Sequence, residues 1–293
     1  MQPRNATVSI ETQPTSRRER LFLLRRHPLI FYFLITYGIS WGMGLPLIIV
    51  FHMTQVPVWL AILLASGPTL SSFMMTAVIG GWPEVRELLR RYGRWRVGLI
   101  WYLITIVVLP VLIALVSLIL PGGVASVLNG LPVYPLAYVL TFFAGGPFLE
   151  EPGWRGFALP RLQRHLGPLP GSLLLGFFWG IWHLPLFLIP GYNGSSAGFI
   201  GVSTALFEFT LTTTLISAVF AWVSNNTRGS LLLVMLLHAA LNTAGIFIPS
   251  AQNQLVNLSI MYIVFAALSV IVIAATRGRL SYDRYIQQAD ALN

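Results

Sequence analysis

Eight long apolar segments dominate this 293-residue sequence and leave little chain between them. Each is near the length of about 20 residues that a helix needs to cross the hydrocarbon core of a bilayer. Only 9% of the residues are charged, whereas soluble domains contain about 25%. The sequence therefore predicts an all-α fold, a polytopic transmembrane helix bundle of about eight spans. The approximate ranges of these segments are 28–51, 57–80, 97–120, 134–150, 171–190, 200–223, 229–248 and 255–275.

The distribution of arginine predicts how the bundle is oriented. The net charge is +9, and every basic residue apart from histidine is Arg. Arginines lie in the N-terminal tail, in the loops after segments two, four and six, and in the C-terminal tail. The other four loops contain no Asp, Glu, Lys or Arg. Because cytoplasmic loops carry an excess of basic residues, both termini are expected in the cytoplasm. Short arginine runs beside apolar segments favour contact with lipid headgroups and not with nucleic acid.

One membrane domain accounts for most of the chain. We expect a disordered basic tail over residues 1–27, a transmembrane domain over 28–276 and a cytoplasmic tail over 277–293. The first apolar run is longer than the roughly 7–15 residues of a signal-peptide core, so we interpret it as an uncleaved span. The sequence has no cysteine, which excludes a cysteine nucleophile.

Two adjacent carboxylates close the fourth apolar segment. Glu150 and Glu151 are followed by Pro152, which cannot continue the hydrogen bonds of the preceding helix. We therefore expect the carboxylates to lie at a helix break. Arg155 is four residues after Glu151, so the two can form an ion pair along one helix face. That pairing leaves Glu150 as the freer carboxylate, available as a general base. A structural ion pair that anchors the helix end is the alternative interpretation.

Two histidines lie within apolar segments, and each has a partner four residues away. Trp179 and His183 share one helix face in segment five, and His238 and Asn242 share one face in segment seven. Ionisable residues inside spans are costly to bury and by default suggest function. Hydrogen bonding between packed helices is the simpler interpretation of each histidine taken alone.

The predicted topology brings these residues to a similar depth. Segments five and seven both begin on the cytoplasmic side, where segment four ends, so Glu150 can meet His183 and His238. A carboxylate, two imidazoles and the Asn242 amide can activate water and stabilise an oxyanion. Glu150, His183 and His238 could equally bind a divalent metal such as zinc, since Glu and His are common zinc ligands.

The three motifs in this order, EExxxR, aromatic-xxxH and HxxxN, resemble those of the CPBP family. That family includes CAAX prenyl endopeptidases and bacteriocin-processing and self-immunity proteins, and the resemblance covers roughly residues 80–245. Two departures are Trp179, where the family often has Phe, and Pro152, which is typical of one subgroup only. The resemblance implies that Glu150 and His183 activate the attacking water, that His238 and Asn242 stabilise the oxyanion, and that Glu151, Arg155 and Trp179 support the site.

The resemblance implies an intramembrane endopeptidase that cleaves a membrane-associated protein or peptide. The expected location is the cell membrane, as in a bacterial plasma membrane. Membrane lipids are then further partners, and the oligomeric state is not indicated. A non-catalytic immunity or interaction protein on the same fold is the alternative. A proton-coupled transporter that uses Glu208 and the two histidines is less favoured, because segments one, three and eight contain no ionisable residue. Glu208 itself matches no motif. We interpret it as a protonated or hydrogen-bonded residue that faces the bundle, and a contact to substrate is the alternative.

Overall fold

The computed structural model describes residues 23–192, 198–249 and 254–290, and in these ranges the chain is helical and contains no strand. The predicted disordered tail therefore lies mostly outside the described residues. The helices in chain order are α1 Pro28–Val50, α2 Val58–Arg90, α3 Leu99–Leu118, α4 Gly123–Ala144, α5 (residues 147–166), α6 Pro168–Trp182, α7 Leu184–Phe187, α8 Phe199–Asn226, α9 Leu231–Thr243, α10 Gln254–Ala275 and α11 Tyr282–Asp290.

Each predicted apolar segment overlaps an apolar helix. Five helical stretches are long and apolar enough to cross a membrane, and three shorter apolar helices accompany them in the described chain. The prediction of an all-α, multi-pass membrane protein is therefore confirmed. The number of spans and the cytoplasmic location of the termini stay predictions.

The outer surface of the bundle is apolar. Large hydrophobic side chains such as Leu99, Ile119 and Phe199 are at least 74% exposed. A water-soluble domain rarely exposes so many large apolar side chains together, so the natural solvent of this surface is lipid.

Helices α6 and α8 approach each other closely through two glycines. Gly176 and Gly180 lie one turn apart on α6, and a Cβ on either would overlap with backbone or side-chain atoms of α8 around Thr213. Small residues at this spacing allow backbones to approach in membranes, where van der Waals packing drives helix association. The contact fixes the helix that ends at His183 against the middle of the bundle.

Helix α1 secures the same end of α6 from the other side. Tyr37 donates a hydrogen bond to the carbonyl of Phe178 at 2.6 Å, and Trp41 donates to the carbonyl of Trp182 at 2.9 Å. The carbonyls in the last turn of a helix have no intrahelical hydrogen-bond donors, so inside a membrane they need donors from other parts of the protein. Trp41 therefore supplies a partner for the carbonyl of Trp182 in the last turn of α6, and Tyr37 adds a second contact one turn earlier.

Candidate active site

A break between α4 and α5 places the first carboxylate. Helix α4 ends before Gly145, Gly146 has φ +106°, and Pro147 begins the next helix. Only glycine adopts such a backbone conformation readily, and proline suits a first helical turn. The expected break at Pro152 was wrong. The helix continues through Pro152, which keeps helical backbone angles (φ −59°, ψ −34°), and the break lies six residues earlier at Gly146.

Beyond the break, α5 is wider than an ordinary α-helix. It starts as Pro147–Glu151, becomes a π-helix over Pro152–Ala158 and returns to an α-helix over Leu159–Leu166. All seven residues of the π-helical stretch are buried. Proline lacks the N–H that a continuing α-helix would use, and π-helical stretches occur often at functional sites.

Glu150 lies in the first turn of α5 and is almost fully buried, with 5% exposed. Its Oε2 accepts a hydrogen bond of 2.9 Å from the indole Nε1 of Trp179. Its Oε1 lies against the Cα of Gly146, where a Cβ would overlap with it. A carboxylate at the N-terminal end of a helix is also favoured by the helix dipole. The carboxylate is therefore held in one orientation.

Glu151 forms a separate buried network behind the first carboxylate. Its Oε1 accepts hydrogen bonds from Arg155 Nη1 at 2.9 Å and from His238 Nδ1 at 2.8 Å. Neither Glu151 nor Arg155 has exposed side-chain surface. The guanidinium lies 4.4 Å from the ring centre of Trp179 and 4.1 Å from that of Phe220. The i,i+4 ion pair predicted from the sequence is present, and two aromatic faces stabilise its cation.

His183 is the residue at which α6 ends. Its Nδ1 lies 2.8 Å from the carbonyl oxygen of Trp179. A carbonyl can only accept, so Nδ1 carries the proton and Nε2 is the nitrogen available to the cavity. Trp182 and Phe209 pack edge-on against the imidazole, each with ring centres 4.8 Å away. The ring is therefore fixed in both tautomer and orientation.

His238 and Asn242 approach from α9. Because the Glu151 carboxylate can only accept, His238 Nδ1 donates to it, and Nε2 is left for the cavity. Asn242 Nδ2 donates to the carbonyl of Gly145 at 3.1 Å and so contacts the α4–α5 break. An amide nitrogen has two hydrogens, and the second is not used by this bond.

These side chains meet at one cavity of about 450 Å³. The predicted residues that line it are Glu150, Trp179, His183, His238 and Asn242. Glu151 and Arg155 are not among the lining residues and lie behind it. The remaining walls are mainly apolar, with contributions from α2, α7, α8 and α10. The cavity thus combines one carboxylate and two imidazoles with a largely apolar surface.

Several neighbours of the site were not predicted from the sequence. Phe220, on α8, packs against both Arg155 and His238, with ring centres 5.8 Å apart in the second case. Tyr192 and Phe209 line the cavity. An aromatic residue in an apolar segment carries no signal that separates it from ordinary packing, so only the fold could identify these three. Glu208 is half-buried, and it does not line the cavity.

Glu150, His183 and His238 are the candidate metal ligands from the sequence. Among the residues that the structure describes, no group of three or more His, Asp or Glu side chains is arranged to hold a metal ion. One nitrogen of each imidazole and one oxygen of Glu150 already have protein partners. Nε2 of each imidazole stays open to the cavity, but the three side chains do not form such a group, and metal binding stays a prediction.

Two comparisons with known proteins cover the segment that carries the site. Residues 131–244 match the family model described as type II CAAX prenyl endopeptidase Rce1-like. This match starts later than the predicted core, which begins at about residue 80. A protein named CAAX prenyl protease 2 from Methanococcus maripaludis is 26% identical over 150 residues. The alignment covers 50% of this chain and 52% of that relative, so it spans about half the length of each. Over these residues the chain is similar to the CAAX prenyl endopeptidases, which confirms the family resemblance indicated by the three motifs.

Proposed function

We propose that this protein is an intramembrane endopeptidase of the CAAX type, in which Glu150 activates the attacking water. One observation carries the proposal: the carboxylate of Glu150 and the imidazoles of His183 and His238 line a single cavity inside an apolar helical bundle. The similarity to a CAAX prenyl protease over residues from the same region supports it.

The proposed first step is attack by water on the scissile carbonyl carbon. Glu150 accepts a proton from the water, and His183 Nε2, which is free of its own proton, accepts a hydrogen bond from the same water. The oxygen then bonds to the carbonyl carbon, and the carbonyl π electrons move to its oxygen. The oxyanion electron pair then re-forms the C=O bond as the C–N bond breaks, and Glu150 returns the proton to the leaving amine, which restores the carboxylate. Positioned acid–base groups of this kind contribute roughly a hundredfold to ten-thousandfold to the rate.

We assign stabilisation of the oxyanion to His238 and Asn242. When both imidazole nitrogens of His238 are protonated, Nε2–H can donate to the oxyanion while Nδ1–H stays on Glu151. The Asn242 hydrogen that is not bonded to Gly145 supplies a second donor. Removal of a single oxyanion donor costs about a hundredfold to a thousandfold in turnover in other hydrolases. Arg155 holds Glu151, and through it the imidazole of His238, in place.

The substrate proposed is a membrane-associated protein whose C-terminal segment carries a prenyl group. The name of the relative, CAAX prenyl protease 2, refers to a prenyl group. In this chain, Leu186, Phe209 and Ile216 give part of the cavity an apolar wall. Burial of apolar surface would stabilise a hydrocarbon chain there by about 25 cal/mol per Å².

The experiment compares two glutamates of the same helical bundle. The protein is reconstituted in liposomes with a prenylated peptide that carries a fluorophore and a quencher on either side of the scissile bond. Glu150→Gln keeps the side-chain shape, and its amide oxygen can still accept from Trp179, but it cannot take a proton from water. We expect its turnover to fall at least a hundredfold. Glu208→Gln, which changes a half-buried carboxylate outside the cavity, should keep the turnover of the parent protein.

Two further arms separate this mechanism from its competitors. Equal, measurable turnover of Glu150→Gln and the parent protein would contradict the assignment of the base. Absence of turnover in the parent protein would instead favour the non-catalytic interaction protein. The same assay with a strong divalent-metal chelator tests for a metal. We expect unchanged turnover with the chelator, whereas its loss and its recovery on addition of zinc would replace the side-chain mechanism with a metal-dependent one.

A further inference from the structure

A second cavity lies at the end of the bundle where the arginine-bearing segments meet. Its volume is about 920 Å³, roughly twice that of the candidate active site. Its walls come from the end of α2 and the turn after it, from α5, from the turn between α8 and α9, and from α11. The arginines that line it are Arg90, Arg91, Arg94, Arg96, Arg161 and Arg228.

Positive charge is in excess around this cavity. Six guanidinium groups face two carboxylates, those of Glu84 and Glu87, which leaves an excess of four positive charges. Glu87 forms ion pairs with Arg94 and, at 3.9 Å, with Arg90. Like charges gathered at a surface repel each other, and a bound anion relieves that repulsion.

Backbone carbonyls, which carry no net charge, orient most of these guanidinium groups. Arg91 is buried and donates to the carbonyls of Gly229 at 2.8 Å, Gly156 at 2.6 Å and Arg155 at 3.0 Å. Arg228 donates to the carbonyl of Arg96. A carbonyl fixes the direction of a guanidinium without neutralising it. The cavity is therefore lined by ordered cations that keep their charge.

Arg96 and Arg161 both keep N–H groups that have no acceptor among the described residues. Arg161 donates one hydrogen bond of 2.9 Å to the carbonyl of Phe157, with its guanidinium 3.8 Å from the centre of that ring. Arg96 lies 5.2 Å from the ring centre of Trp95. In the part of the chain that the structure describes, neither forms an ion pair with a carboxylate. Each guanidinium has five N–H donors, in a planar fork that matches the oxygens of a phosphate.

We propose that this cavity binds the phosphate of an anionic membrane lipid. Trp95 lines the cavity and is 57% exposed, and Trp82, beside the lining residue Pro83, is 68% exposed. Exposed tryptophans typically lie at the level of the lipid headgroups. The volume is many times the roughly 30 Å³ of a water molecule, so it can hold a headgroup together with its phosphate. This site is distinct from the candidate active site and does not depend on the proposed protease activity.

The experiment measures lipid binding to the full chain in a neutral detergent. Short-chain phosphatidylglycerol is titrated against short-chain phosphatidylcholine and against inorganic phosphate, and bound molecules are counted by native mass spectrometry. We expect phosphatidylglycerol to bind at least tenfold more tightly than phosphatidylcholine. Each guanidinium contributes roughly a fivefold gain in affinity for an anionic lipid. The double variant Arg96→Gln and Arg161→Gln should therefore bind it about twenty-five-fold more weakly.

Matched variants control this experiment for misfolding and for general loss of positive charge. Arg86 and Arg164 are exposed and lie outside the cavity, so changing both to Gln should leave the affinity unchanged. Glu84→Gln removes a negative charge from the wall and should strengthen binding several-fold, a gain that misfolding cannot mimic. Equal losses in the two arginine pairs, or no preference over phosphatidylcholine, would overturn the proposal. Equally tight binding of inorganic phosphate would also overturn it, because free phosphate would then be the ligand.

Discussion

The hydrogen bond from Trp179 to Glu150 gives the sharpest test of the candidate active site. Trp179→Phe removes the indole N–H that lies 2.9 Å from Glu150 Oε2. It keeps an aromatic ring beside Arg155, whose guanidinium is 4.4 Å from the present ring centre, and beside His238. The substitution therefore isolates the contribution of one donor to the orientation of the proposed base.

The size of the effect follows from the burial of the pair. Glu150 is 5% exposed and Trp179 is 2% exposed, so water cannot readily replace the lost donor. A hydrogen bond to a charged group contributes about 1.5–3 kcal/mol. If that energy is fully expressed in the transition state, the rate falls by roughly tenfold to a hundredfold. We expect the loss mainly in kcat, since the base does not bind the ground-state substrate.

The assay is cleavage of the membrane-tethered fluorescent peptide, with kcat and KM measured separately. Trp154→Phe is a matched control, because this tryptophan is also buried but does not line the cavity. Its indole nitrogen has no hydrogen-bond partner within the described residues. It should lose less than threefold in kcat. Equal losses in both variants, or full activity of Trp179→Phe, would refute the role given to this hydrogen bond.

Two further predictions concern the helix that carries the carboxylates. Gly146→Ala should lower turnover by about a hundredfold. The Cβ of the new alanine would displace Glu150 Oε1, and misplacing a catalytic group by about 1 Å lowers the rate by about that factor. Gly122→Ala, also at positive φ but with open space around it, should remain active, and inactivity of both would point to backbone strain instead. Glu151→Gln and Arg155→Met should each destabilise the protein by about 3–5 kcal/mol, since either leaves a buried group without its partner. The double variant should lose less than the sum, as measured by thermal unfolding in detergent, and strict additivity would show that the pair is not coupled.

Local sequence patterns predicted the elements of the site better than their assembly. The spacing of Glu151 and Arg155 predicted their contact, because residues four apart on a helix are neighbours whatever the rest of the fold does. Long apolar runs predicted the helices for a similarly local reason. The break was misplaced because Pro152 is the stronger local signal, whereas the glycines at 145 and 146 are also compatible with a continuous span.

The contacts between helices were beyond such patterns. Glu151 also binds His238, which is 87 residues further along the chain. The Trp179 indole points its N–H at Glu150 because α6 is fixed by close packing against α8, and no single segment encodes that placement. The role of Phe220 could not be predicted from the sequence for the same reason. The sequence therefore predicted the carboxylate and the two imidazoles of the site, but not all of the aromatic residues that hold them in place.

The complete burial of Pro152–Ala158 has a consequence for how the protein experiences its membrane. A stretch with no exposed side has no surface against the acyl chains that surround the bundle. A thicker, thinner or stiffer bilayer therefore acts first on the outer helices, whose large side chains face the lipid. Such a change reaches the paired carboxylates only after those helices have shifted. The centre of the bundle is thereby insulated from the thickness and stiffness of the membrane around it.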